Sequence, residues 1–115
     1  HCRNTDDDVL EALSRNRGVI GFTLIRETIG PNPGLETLAK HIMSVRERFG
    51  SELMAIGTDY LGIRATPAGL ENITKLKDLF AKLTALGMSD DEIRKLAWEN
   101  AYRTIQQNAE KWPRD

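Results

Sequence analysis

The sequence predicts a helix-rich α/β fold built on parallel strands, and three observations carry that expectation. Residues 18–25 and 53–59 are short, nearly continuous apolar runs, the pattern of strands buried on both faces. A long amphipathic helical stretch lies between them, so strand, loop, helix and strand form a βαβ unit. Helical periodicity runs through most of the remaining chain. At 115 residues, with 40% hydrophobic and 29% charged side chains, the chain has material for one domain with a core. That composition excludes disordered, collagen-like and low-complexity classes.

Each element has its own signal. Thr5 is placed to cap a helix over roughly 6–16, with Asp8 reaching back and Asp6, Asp7 and Asp8 complementing the helix dipole. Val9, Leu10 and Leu13 share its apolar face, and Arg15, Arg17 and Gly18 close it. Arg26 to Gly34 holds two prolines and two glycines and reads as a loop. Leu35, Leu38, Ile42, Val45 and Phe49 recur every three or four residues, which predicts a helix ending at Gly50. Tyr60 to Gly69 reads as an irregular loop. Leu76, Leu79, Phe80, Leu83 and Leu86 then mark a helix stopped by Gly87. Ser89-Asp-Asp-Glu92 is a capping box opening a last helix expected to bury Ile93, Leu96, Ala97 and Ile105 before it frays near Pro113.

Two strands cannot make a finished parallel sheet, because such a sheet needs both faces covered and more than two members. The chain is therefore expected to be a piece of a larger parallel α/β architecture whose other strands lie outside it. In that architecture chemistry gathers in the loops after the carboxyl ends of the strands. Asp59 stands at that point of the second strand, and Arg26 and Glu27 follow the first.

Charge and composition narrow the partners. A formal net charge of −1 gives no broad basic field, so no nucleic-acid partner is expected. No apolar run approaches the ~20 residues of a membrane-spanning helix. Cys2 is the single cysteine, which excludes an internal disulfide or a Cys-rich zinc site and fits a reducing, cytoplasmic setting. The N-terminus lacks Met, a basic stretch and an apolar run, as expected of a processed or truncated chain.

Three blocks in order resemble the membrane (renal) dipeptidase family of zinc peptidases. They are Arg3-Asn4 ahead of Thr5-Asp-Asp-Asp-Val-Leu; Ile56-Gly-Thr-Asp-Tyr-Leu-Gly62; and Pro67-Ala-Gly-Leu-Glu-Asn-Ile73 with Met88-Ser-Asp-Asp-Glu-Ile-Arg-Lys-Leu-Ala-Trp-Glu-Asn100. The resemblance spans the whole chain but only the family's C-terminal third. It implies a partial (β/α)8 TIM barrel, with 18–25 and 53–59 as its last two strands and 1–115 as the closing segment of a single domain.

The resemblance also implies zinc-dependent hydrolysis of dipeptides, with two zinc ions whose ligands lie upstream. No metal ligand is assigned in this chain, and His1 is not carried over. Arg3 would bind the dipeptide carboxylate, a task suited to a planar guanidinium. Asp59 would be both catalytic and substrate-binding, holding an amine or passing a proton to the leaving nitrogen. Leu61 replaces an Asp of the family pattern, and Arg26-Glu27 replaces Asn-rich, aromatic sequence, so substrate range is expected to differ. The missing N-terminal barrel portion is the implied partner, the segment alone is expected to be inactive, and homo-oligomers remain open. The contrasting reading is a non-enzymatic α/β interaction module completed by oligomerisation.

Other residues have plainer expectations. His41 reads as a packed, hydrogen-bonded helix residue. His1 and Cys2 are too few for a specific metal site. Trp98, Tyr102 and Trp112 read as packing residues in a core or interface. Arg46-Glu-Arg48 and Lys75 to Asp78 read as solvated helix faces.

Overall fold

A computed structural model of the chain describes residues 5–31, 34–58 and 65–112. Helix α1 covers Asp7–Asn16, strand β1 Ile20–Phe22, the short α2 Arg26–Ile29, α3 Leu35–Phe49 and β2 Met54–Ile56. A 3-10 turn at Ile73–Lys75 leads into α4 at Leu76–Ala85, and α5 covers Asp90–Arg94. A π-helical turn at Lys95–Glu99 then joins α5 to α6, Asn100–Ala109. β1 and β2 pair in parallel, Ile20 opposite Met54 and Phe22 opposite Ile56, with α3 as the crossover. The βαβ unit expected from the sequence is present.

Both strands are shorter than the apolar runs that announced them, because hydrogen-bonded pairing lasts only three residues in each. Leu24 and Leu53 lie outside the strands yet are fully buried, so hydrophobicity marked burial and not extension. The loop expected over residues 26–34 contains α2, which begins without a side-chain cap. At the start of α1 it is Asp6, not Thr5, that caps, its carboxylate accepting from the Val9 amide at 3.1 Å. At its end Arg17 itself takes the left-handed position, φ 60°. Gly18 follows closely packed: a Cβ there would lie 2.8 Å from Leu13 Cδ2 and 2.9 Å from Asn16 Oδ1, so those side-chain ends would have to shift.

The core forms where α3 and the π-helical turn lie against β2 and α4 packs on α3. Leu38, Ala39, Ile42 and Met43 of α3 meet Leu79 and Leu83 of α4, with Leu10, Leu24, Leu53, Met54, Leu70, Met88 and Leu96 completing the cluster. The α3 stripe is centred slightly away from the sequence reading: Leu35, Val45 and Phe49 are only half-buried. His41 faces outward and is exposed, contrary to its expected packing, because it sits one position around the helix from Ile42. Ala97 and Ile105 are exposed too, and so are Trp98, Tyr102 and Trp112, at 55%, 57% and 65%. These three aromatic residues pack in no core of this chain; Trp98 and Tyr102 meet edge to face, centroids 6.1 Å apart.

Two polar links hold the last helices to the sheet. Asn100 is 2% exposed, and its Nδ2 donates to Ser51 O at 2.6 Å and Met54 O at 2.8 Å. Leu53 O accepts from Ile20 of β1, and carbonyls alternate along a strand, so Met54 O points to the opposite edge of β2. Asn100 thus caps a backbone group that has no strand beside it. The second link is Glu92, which accepts from Arg46 Nε at 2.6 Å and Nη2 at 2.9 Å, from the Ser51 hydroxyl and from the Ser89 amide. The expected capping box of Ser89 and Glu92 is present, and the same carboxylate ties α5 to α3. Arg46 is therefore a paired, mostly buried group and not part of a solvated face. Arg103 adds a third tether, donating to Glu52 O at 3.0 Å and Arg17 O at 3.1 Å.

Replacing Asn100 with Leu leaves the Ser51 and Met54 carbonyls without their buried donor, and a loss of about 2–3 kcal/mol is expected in urea unfolding. The Arg46 guanidinium holds the Glu92 carboxyl far below its ordinary 4.5, to about 2, with the Ser51 hydroxyl and Ser89 amide assisting. Because the folded pKa lies below the unfolded one, this stabilisation is complete above pH ~4.5 and disappears as pH falls through ~2. Urea midpoints measured from pH 6 to 2 should show Glu92→Gln weaker than the unaltered chain at the upper end, with the gap closing toward the lower end.

Candidate functional site

The expected site lies where the two strands end. Beyond Phe22 and Ile56 the chains stay together: the Gly57 amide donates to Phe22 O at 3.0 Å. The segments that follow also meet. The Arg26 amide, opening α2, donates to Ala65 O at 3.4 Å, and the Leu35 amide donates to Ala68 O at 2.9 Å beside a parallel bridge between Gly34 and Ala68. Gly69 lies against Leu35 with φ +87°, a conformation that favours glycine. The loops after β1 and β2 therefore share one end of the sheet, the end at which parallel α/β folds place their chemistry.

Arg3 and Asp59, to which the family resemblance assigns site roles, lie outside the described residues. Asp59 follows Thr58, the last described residue after β2, in the chain. Arg26 is exposed at the start of α2, where its backbone joins the two loops. Arg26 and Ala65 come together through the backbone, as expected of loops following neighbouring strands.

On the other side of β1 runs a cavity of about 370 Å³ that the sequence did not announce. Its floor is Ile20 to Thr23 and its walls are Leu10 of α1, Leu38 and Val45 of α3, and Ile29 of α2. The polar groups that the described residues give the lining are the His41 imidazole and the hydroxyls of Thr5, Thr23 and Ser44. It follows the edge of β1 opposite to β2 and has the apolar lining of a packing groove more than of a reaction centre. Gly21 and Gly57 are exposed at the sheet, while Ala55, which pairs with Gly21, is buried.

Among the described residues no three His, Cys, Asp or Glu side chains come together in a way that could hold a metal ion. Nor is any helix of the described residues long and apolar enough to cross a membrane.

Comparison with known proteins places these features. The chain is 39% identical over 106 residues to the dipeptidase verJ of Clonostachys rogersoniana, covering 91% of this chain and 27% of that protein. It is 28% identical over 110 residues to the dipeptidase tcpJ of Claviceps purpurea, covering 93% of this chain and 26% of that one. It thus spans about a quarter of the length of these relatives. Among solved structures, a Rhodobacter sphaeroides metallopeptidase liganded with a phosphinate mimic of the dipeptide L-Ala-D-Ala superposes with a TM-score of 0.81 at 26% identity. That match covers 90% of this chain and 31% of the other. Dipeptidase AC, a metallopeptidase of family M19, superposes with a TM-score of 0.78 at 27% identity, covering 87% of this chain and 31% of the other. The family model for membrane dipeptidases, peptidase family M19, matches residues 1–114, and the chain belongs to that family.

Proposed function

We propose that this chain is the closing segment of a zinc-dependent dipeptidase, supplying β1 and β2 as the last two strands of a (β/α)8 barrel together with part of the substrate site. One observation carries the reading. The chain superposes on solved metallopeptidases over nine-tenths of its length yet spans less than a third of theirs, and its strand pair has exposed glycines and a groove along one edge. A missing strand and helix on that side account for both.

In this reading Arg3 binds the carboxylate of the dipeptide through its planar guanidinium. Asp59 is the catalytic and substrate-binding carboxylate: it holds the substrate amine or carries a proton to the nitrogen that leaves. Support for Asp59 comes from its place in the chain directly after Thr58, at the end of the sheet where the two loops converge. Two zinc ions, with ligands in the upstream portion, would polarise the peptide carbonyl. Alone, the chain is inactive.

Dipeptide hydrolysis by a longer polypeptide carrying this segment tests the assignment. Asp59→Asn is expected to lower kcat by about 10²–10⁴. Arg3→Ala is expected to raise KM by roughly 10–100-fold, the cost of one lost charge-assisted contact, with a smaller change in kcat. A metal chelator should abolish the activity and zinc restore it. Hydrolysis indifferent to both substitutions removes the site assignment, and a longer polypeptide that binds no metal and cleaves no dipeptide points instead to an interaction module.

A further inference from the structure

The loops after β1 and β2 meet at one end of the sheet, and Arg26 stands at their meeting point. Its amide donates to Ala65 O across the two loops, and its side chain is exposed. Charge sets the position apart. Arg15, Arg46, Arg48, Arg94 and Arg103 each have a carboxylate within ion-pair distance, and Arg26 has none among the described residues. Glu71, an acid of the loop after β2, does not serve it, because its carboxylate is turned back onto its own loop and accepts the Gly69 amide at 2.8 Å.

Nothing in the local structure calls for a cation here. Arg26 opens α2, and the first turn of a helix favours acidic side chains over basic ones. Nor does the side chain belong to the groove along the free edge of β1. Ile25 and Ile29, before and after it in the chain, line that groove, and Arg26 does not. Protein that covers the groove therefore comes against the isoleucines, while the Arg26 backbone faces the β2 loop through its bond to Ala65. A guanidinium carries five donors in a planar fork that matches a carboxylate, and this one lies without a counterion at the end of a parallel sheet where substrates bind.

We infer that Arg26 is a specificity-determining residue of the substrate site, its guanidinium binding a carboxylate on a side chain of the substrate, so that the substrate class is dipeptides containing aspartate or glutamate. The inference rests on the dipeptidase reading and adds a second cation to it, distinct from Arg3, to which the terminal carboxylate of the dipeptide is assigned. Because the contact is made away from the bond that breaks, it acts mainly on KM.

The test uses the longer polypeptide carrying this chain, supplied with zinc, and compares Ala-Glu and Glu-Ala with their uncharged isosteres Ala-Gln and Gln-Ala. At least one acidic dipeptide should exceed its isostere by about tenfold in kcat/KM, the worth of one charge-assisted contact. In Arg26→Gln that ratio should fall to about one, and in Arg26→Glu the preference should turn toward Ala-Lys or Lys-Ala, since like charges repel. Cleavage of Ala-Ala together with no charge preference overturns this inference alone, whereas failure to cleave any dipeptide overturns the dipeptidase reading with it. A preference for acidic dipeptides that survives Arg26→Gln also overturns it, and where the thermal midpoint falls in that variant the arginine is paired with a carboxylate of the upstream portion. A preference for basic dipeptides that Glu27→Gln removes would give the selection to the neighbouring carboxylate and overturn the inference as well.

Discussion

A buried amide decides where the last helices of this protein can lie. Asn100 reaches two carbonyls at the start of β2, and one of them belongs to the strand edge that β1 does not use. An unpaired buried carbonyl costs on the order of 1–3 kcal/mol, so the helix that supplies the donor is fixed in rotation as well as in position. The outward direction of Trp98 and Tyr102 and the placement of Arg103 over Glu52 both follow from that one orientation.

A strand pair of three residues each gives little by itself, and the polar links around it have a corresponding weight. Glu92 caps its own helix, takes both arms of the Arg46 guanidinium and accepts the Ser51 hydroxyl, so a single carboxylate joins α3, α5 and the turn before β2. Such a group, mostly removed from water and fully paired, contributes more than the exposed ion pairs of α1, Arg15 with Glu11 and Arg48 with Asp7, which solvent screens. Gly21 and Gly57 are exposed at the sheet, which fits a segment that meets more protein there.

What could be seen in the sequence was local. Leu38 and Ile42, Leu79 and Leu83, and the Ser89–Glu92 box announced their helices because periodicity and capping involve residues within a turn or two of one another. The parallel pairing was readable from two apolar runs flanking one helix, and the family from three ordered blocks. Strand length was not, since Leu24 and Leu53 are buried without being extended. Arg46 looked solvated because its partner is 46 residues away, and Trp98 and Tyr102 looked internal because ring size says nothing of which way a helix turns. Asn100 left one faint sign, an amide inside an otherwise amphipathic helix, where a satisfied buried polar group is the expected explanation. The role of Arg3 came from resemblance alone, and that of Asp59 from resemblance together with its place after an apolar run.

The wide turn at Lys95–Glu99 connects these observations. There the Asn100 amide reaches back five residues to Lys95 O, so the chain carries one residue more than a regular helix of the same path requires. Remove that extra residue and everything downstream rotates by about 100°, swinging the amide off β2 and carrying the tryptophans around toward the protein's flank. The rotation at which Asn100 meets β2 thus depends on the length of chain before it, and a family member lacking the surplus residue would have to hold its final helix by other means.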